Sequence, residues 1–208
     1  MKSLTNSTYL LISHQKAFSD TEEHWANDII NDLSSRMVVN GIDDMHYLPD
    51  APITRAEFAA IIVRALGMDN KVKTTAFKDV GTLDWYNSAV AKAQEYGIIE
   101  GYKDGTFQPE KTVTREEAMV MIARAMKLAD LDTNVNDADT KTILATFADG
   151  ASVDAWAKQG VSTVVSNKMI NGTDTGLLPK KDMTRAESTV LVYRLLEQAQ
   201  LIDGVRKK

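Results

Sequence analysis

One ordered set of residues occurs three times along this chain, and no other feature restricts its fold as much. Each copy opens on Phe-x-Asp (Phe18-Ser19-Asp20, Phe77-Lys78-Asp79, Phe147-Ala148-Asp149) and continues to a tryptophan at Trp25, Trp85 or Trp156. Sixteen residues beyond each tryptophan stands a glycine (Gly41, Gly101, Gly172), followed by a proline (Pro49, Pro109, Pro179) and then Thr-Arg-x-Glu at 54–57, 114–117 and 184–187. The copies are offset by 60 and then about 70 residues. Self-similarity at such a period marks a repeat architecture.

Within each copy the apolar pattern predicts helix, loop, helix. The first helix is expected to run from the tryptophan to just before the glycine. In the first copy Trp25, Ile29, Ile30, Leu33, Met37 and Val38 have the spacing of one helical face. Gly41, Gly101 and Gly172 then occupy places where a left-handed residue commonly ends a helix. The second helix begins at the threonine. Its expected buried stripe is Phe58, Ile61, Ile62, Ala65 and Leu66, matched by Ala118, Met121, Ile122, Ala125 and Met126, and by Ser188, Leu191, Val192, Leu195 and Leu196. In the intervening loop, Asp104-Gly105 before Thr106-Phe107 predicts a tight turn with a short strand. The expected class is mainly all-α. Its parts are an N-terminal segment over 1–17, repeats over 18–76, 77–146 and 147–202, and a tail over 203–208. The second repeat includes a polar, exposed linker over about 129–145, and a short helix over 4–16 is expected to pack on the repeats.

The repeated polar residues divide by the chemistry they need. Thr-x-x-Glu before an apolar run is a capping box, in which threonine and glutamate side chains satisfy each other's backbone N–H groups. Structure alone explains those residues. Arg55, Arg115 and Arg185 are different, because a cation at the first helical position is disfavoured by roughly 0.3–1 kcal/mol. Three such placements imply a compensating anion. It is either a ligand held by arginine and free helix N–H groups, or a carboxylate of a neighbouring unit. If a ligand, alanine in place of all three should leave the fold intact. A second arginine recurs nine residues on, at Arg64, Arg124 and Arg194, where an inter-helix ion pair is the expected role. Trp25, Trp85 and Trp156 suit either a sugar-stacking wall or the core. Asp20, Asp79 and Asp149 suit cap or turn hydrogen bonds, and the glycines suit a close backbone approach to a ligand as well as a helix stop. Tyr102 adds a stacking face and a hydroxyl.

Several chemistries are excluded by what the sequence lacks. The formal net charge is −5, so no overall basic field attracts nucleic acid or anionic lipid, and an acidic ligand needs local cations. There are no cysteines, and His14, His24 and His46 have no metal-ligand spacing. The Asp104-Gly105 loop places Lys111 where a calcium loop needs glutamate. No phosphate loop, nucleophile elbow or catalytic carboxylate pair is present, so neither enzyme activity, metal nor cofactor is expected. No apolar run reaches the roughly 18–20 residues of a membrane span. The run 9–12 is too short for a secretory leader, so export would imply a leader already removed.

Phe-x-Asp, Trp, Gly-Tyr-x-Asp-Gly-Thr-Phe-x-Pro and Thr-Arg-x-Glu together resemble the S-layer homology family over about residues 18–202. The resemblance implies a pseudo-three-fold trimer of repeats, with one helix of each in a central three-helix bundle and grooves between neighbours. It implies a non-catalytic, secreted module, monomeric in isolation, that anchors a surface-layer protein to the peptidoglycan-associated cell wall. The ligand would be secondary cell-wall polysaccharide bearing pyruvylated N-acetylmannosamine. Carried over, Arg55, Arg115 and Arg185 meet the ketal carboxylate, Gly41, Gly101 and Gly172 shape the grooves, and Trp25, Trp85 and Trp156 contribute a wall. The second copy is nearest the family pattern. Ile42 and Met45 of the first copy replace Tyr102 and Gly105, and Thr173 follows the third glycine, so the groove using Tyr102 is expected to bind most tightly. The alternative is a protein-interaction or self-assembly scaffold with no glycan ligand.

Overall fold

In the computed structural model, which describes residues 14–68 and 74–205, the chain is helical and carries isolated bridges but no strand among the described residues. The helices are α1 (Asn27–Ser35), α2 (Arg55–Ala65), α3 (Asn87–Glu95), α4 (Arg115–Leu128), α5 (Asp137–Ala145), α6 (Lys158–Ser166) and α7 (Arg185–Gln198). Single turns of 3-10 helix stand at Ser19–Thr21 and Gly150–Ser152.

Helices α2, α4 and α7 pack on one another as the central bundle. Each starts at the capping box the sequence predicts: Thr54, Thr114 and Thr184 accept from the N–H groups of Glu57, Glu117 and Glu187, whose carboxylates reach back. The expected stripes are buried except for Ala65, which is half-buried, and so are Ala56, Ala59 and Val63 on other faces of α2, as befits a helix enclosed by others. The outer helices complete the enclosure in an offset way. Helix α3 covers α2, α6 covers α4, and α1 covers α7. Each outer helix therefore lies on the inner helix of the copy before it, the third copy preceding the first. Each core is shared between two copies.

At the bundle's axis this offset closes into a ring of three backbone hydrogen bonds. The N–H of Ile53 donates to Met183 at 3.0 Å, that of Met183 to Val113 at 2.9 Å, and that of Val113 to Ile53 at 3.0 Å. All three side chains are buried. Just outside the ring, the first two N–H groups of each inner helix donate to the loop of a neighbouring copy: Arg55 and Ala56 to Lys111 and Pro109, Arg115 and Glu116 to Lys181 and Pro179, Arg185 and Ala186 to Ala51 and Pro49. Donors that a helix start leaves open thus tie the copies together.

The Phe-x-Asp motif fixes the same loops from their other side. Both oxygens of Asp20 accept, from the N–H groups of Tyr47 and Leu48, and Asp79 and Asp149 do the same for Phe107 with Gln108 and Leu177 with Leu178. Leu48, Gln108 and Leu178 stand at φ 56°, 55° and 54°, a conformation that costs roughly 1–2 kcal/mol for a side chain. Charge-assisted bonds to their own N–H groups offset that cost. Burial disfavours the Asp20 carboxylate, yet these donors hold its pKa below the usual range.

Several expectations are corrected. The outer helices end before Gly41, Gly101 and Gly172. The left-handed residues are Met37, Gly97 and Lys168 at φ 60°, 67° and 57°, and the next N–H groups, of Val38, Ile98 and Met169, return to Leu33, Ala93 and Val164. This closing motif buries those apolar residues. Trp25 and Met37 leave the α1 stripe, being 65% and 51% exposed. The 129–145 linker contains α5, started by Asn136 accepting from the Asp139 N–H and packed on α6 with Thr140 and Leu144 buried. The Asp104-Gly105 turn is present without a strand. The first copy, lacking that glycine, makes a different turn in which Asp43 accepts from the N–H groups of Met45 and His46. Residues 1–13, and with them most of the expected 4–16 helix, lie outside the described residues. His14, Lys16 and Ala17 are not helical, and Lys16 donates its N–H to Ser35.

Gly41 and Gly101 instead mark where the loop crosses the Phe-x-Asp ring. A Cβ at either would lie 2.4 Å from Phe18 or Phe77 and 2.6 Å from the carbonyl of His46 or Thr106. Gly101→Ala is therefore expected to lower stability by about 1–3 kcal/mol, read as a lower Tm in a calorimetric scan. An unchanged Tm would mean that the loop has room the packing denies.

Candidate functional site

The three arginines at the inner helix starts are buried and joined in a cycle. Arg55 Nη1 lies 3.2 Å from Glu117 Oε1, Arg115 Nη1 donates to Glu187 Oε1 at 2.9 Å, and Arg185 Nη1 donates to Glu57 Oε1 at 3.3 Å. Each glutamate divides its oxygens. Oε2 accepts from its own threonine's N–H to cap the helix, while Oε1 faces the arginine of the preceding copy. The Nε groups donate to loop carbonyls, Arg55 to Phe107, Arg115 to Leu177 and Arg185 to Tyr47. Of the two anions considered from the sequence, a neighbouring carboxylate is the one present here. The backbone N–H groups expected to join a ligand are committed to neighbouring carbonyls. The expectation that alanine at all three positions leaves the fold intact runs against this geometry, since Oε1 of Glu57 and of Glu187 would lose its arginine and Glu117 would keep only Tyr102 and Lys111.

Two clefts open beside this cycle. The larger, about 620 Å³, takes Arg55 from the first copy, Gly101, Tyr102, Glu117 and Arg124 from the second, and Trp156 from the third. The smaller, about 210 Å³, repeats the scheme one copy on with Arg115, Gly172, Thr173, Glu187, Arg194 and Trp25. The tryptophans are surface residues, Trp25, Trp85 and Trp156 being 65%, 66% and 57% exposed. Trp156 donates its indole N–H to Asp154. The scheme would join Arg185 with Gly41, Arg64 and Trp85, but each of the three Arg185 nitrogens is already engaged, leaving one N–H on each Nη. Its Nη2 also donates to Asn40 O at 2.8 Å, and its guanidinium lies 4.7 Å from the Tyr47 ring centre. By contrast Arg115 Nη2 has no hydrogen-bond partner among the described residues, and Arg55 Nη2 has only a 3.5 Å contact with Glu100 O.

The larger cleft carries more charge of both signs, although the two come to the same net charge. Lys103, Lys111 and Lys180 line it with Arg55 and Arg124, against Glu100, Glu116, Glu117 and Asp154. Tyr102 lies between the charges: its hydroxyl donates to Glu117 and accepts from Lys111, and Arg55 sits 5.0 Å from its ring centre. Glu117 is pushed up by burial, but the Thr114 N–H, Arg55, Tyr102 and Lys111 more than reverse this, leaving its carboxyl below the ordinary range. Lys180, although desolvation disfavours its charge, is held above the ordinary lysine range by Asp154 and Glu116. Among the described residues no group of three His, Cys, Asp or Glu side chains could hold a metal ion.

Sequence reasoning missed Arg124, Arg194 and the lysines as cleft residues. The second arginines had been assigned to ion pairs, and Arg124 does pair with Glu100 at 2.8 Å. Their recurrence was the available signal. What hid the role is geometry: nine residues is two and a half helical turns, so Arg55 and Arg64 leave opposite faces of α2. A cleft pairs Arg55 with Arg124, from different copies.

A family profile described as the S-layer homology domain matches residues 17–59, 76–119 and 146–187. Similar proteins include an amylopullulanase of Thermoanaerobacterium thermosulfurigenes, 36% identical over 93% of this chain and 10% of its own length. A surface-layer 125 kDa protein of Lysinibacillus sphaericus is 31% identical over 88% of this chain and 15% of its own. A cellulosome-anchoring protein of Acetivibrio thermocellus is 34% identical over 76% and 35% respectively. The chain belongs to the S-layer homology family, and it spans about a tenth to a third of these relatives.

The Arg55–Glu117 pair yields a pH prediction. A carboxyl whose folded pKa is depressed stabilises the fold above its unfolded pKa, near 4.5 for Glu117, and loses that contribution as pH falls through the lower folded value. Glu117→Gln should therefore lower Tm at pH 7, and the gap from the unsubstituted protein should narrow below about pH 4. A gap that stays constant down to pH 2 would show that the charge contributes nothing.

Proposed function

We propose that the two clefts anchor the chain non-covalently to the cell wall by gripping a polysaccharide whose acidic group meets the arginines. The observation that carries this reading is the unspent donor capacity of Arg115 and Arg55 in clefts each walled by an exposed tryptophan. A carboxylate accepts charge-assisted hydrogen bonds from guanidinium, and an indole face suits the apolar face of a sugar ring. A pyruvate ketal on N-acetylmannosamine in secondary cell-wall polysaccharide supplies both features. The names of the relatives support the placement: one is a surface-layer protein and another a cellulosome-anchoring protein. The repeats shared with an amylopullulanase cover a tenth of it, as a non-catalytic attachment module would. The module acts at the cell surface. No helix among the described residues is long and apolar enough to cross a membrane, and attachment rests on the glycan.

Arg55, Arg115, Gly101, Gly172, Trp156, Trp25 and Tyr102 form the working site on this reading, with Arg124 and Arg194 added. Arg185, Gly41 and Trp85 belong to a groove whose arginine is the most fully engaged of the three. The Arg55 cleft binds more tightly, because it is larger and adds the ring and hydroxyl of Tyr102 where the other has Thr173. Trp156→Ala and Arg124→Ala should each weaken sedimentation with purified cell walls about tenfold, near 1.4 kcal/mol, with Tm little changed because Trp156 is exposed and the Arg124 pair is with an exposed glutamate. The pyruvylated monosaccharide should bind far better than its methyl ester. Wall binding that survives acid removal of the polysaccharide would overturn the proposal in favour of a protein-binding scaffold.

A further inference from the structure

We infer that a pocket on the far side of Trp156 is a second subsite for the same polysaccharide chain, taking the sugar units next to the one held in the Arg55 cleft. The inference rests on the preceding reading and extends it. The pocket, about 750 Å³, lies between α5, the turn Gly150–Ser152 and the start of α6. It exists because the connection between the second and third copies forms a helix. Asp137, Thr140, Lys141 and Leu144 recur at the three- and four-residue spacing of one α5 face, and all four line the pocket. A face that serves packing alone would be apolar. This one sets three polar side chains beside a single leucine, the mixed character a sugar presents.

Two observations point to an occupant. The first is Thr140, which is 9% exposed and whose Oγ1 is shielded from solvent with no hydrogen-bond partner. A covered hydroxyl left unpaired costs about 1–3 kcal/mol, and a turn of the Thr140 side chain about χ1 would bring it to a sugar hydroxyl in the pocket. The second is continuity. Trp156 lines both the Arg55 cleft and this pocket, so a chain leaving the cleft across the indole enters the pocket. Lys141 and Lys158 line the pocket against one carboxylate, Asp137, which leaves it with a net positive charge. A continuous polymer meeting two adjoining subsites gains affinity without a second independent binding event.

Titration calorimetry with two probes tests this: N-acetylmannosamine bearing a pyruvate ketal, and size-fractionated longer oligosaccharides that keep the ketal, released enzymatically from purified walls. The unsubstituted protein should bind the longer probe about tenfold more tightly than the monosaccharide. Ala151→Trp, which fills the pocket from its exposed rim, should abolish that gain and leave monosaccharide affinity unchanged. Thr140→Val, nearly equal in size, should reduce the gain by itself, and a melting scan of each variant establishes that it is folded. If the longer probe binds no better than the monosaccharide, or keeps its advantage in both folded variants, the subsite is refuted while the cleft stands. If neither probe binds the unsubstituted protein, the cleft reading fails and this inference falls with it.

Discussion

Three backbone hydrogen bonds, joining Ile53, Met183 and Val113 in a ring, are the constraint on which the rest of the molecule depends. The ring draws together the residues just before the three inner helices, and so fixes where those helices begin. From there each inner helix donates its first two N–H groups into a loop of another copy, and that loop is clamped by the aspartate of its own Phe-x-Asp. The outer helices then have one place to lie, on the inner helix of the copy before. A repeat taken alone lacks the partner for its axial residue, its helix start and its core. The offset makes the triplet the folding unit.

The cycle of arginines and glutamates sits on this frame and connects stability to binding. Each glutamate caps a helix with one oxygen and faces a neighbouring arginine with the other, so helix initiation and inter-copy pairing use one carboxylate. The guanidinium is pre-organised by its Nε bond to a loop carbonyl and by the ring beside it, Phe107 for Arg55 and Tyr47 for Arg185. On the proposed reading, a ligand carboxylate meets a cation that needs no rearrangement, which limits the ordering cost of binding. The same arrangement explains why three near-identical copies need not give three equal grooves. Asn40 O engages Nη2 of Arg185 at 2.8 Å, whereas Glu100 O stands 3.5 Å from that of Arg55.

Much of the fold was legible in the sequence because local rules set it. Capping boxes name their own helix starts, and the stripes from Phe58 to Leu66 and from Ala118 to Met126 identify inner helices by period alone. The outer helix ends were misplaced for a physical reason: Met37 and Lys168 take the left-handed position usually assigned to glycine, while Gly41 and Gly101 serve the close crossing of an aromatic ring. The linker read as exposed from its many aspartates and asparagines, yet Val135, Thr140 and Leu144 were enough to seat a helix. At the site, the arginines and glycines stood out by recurrence. Which copy completes which cleft did not, because sequence spacing carries no record of an offset that arises only when the ring closes. The tryptophans' exposure was likewise set by tertiary packing, at a helix start where either fate was open.

The central claim is that the axial ring holds the three copies as one cooperative unit, and native-state hydrogen exchange reads it directly. The amides of Ile53, Val113 and Met183 should exchange only through global unfolding, all with the same opening free energy and the same denaturant dependence as the whole chain. If one of the three exchanges at a distinctly lower free energy while the other two remain protected, that copy opens by itself. The ring would then be a consequence of the packing and not the constraint that organises it.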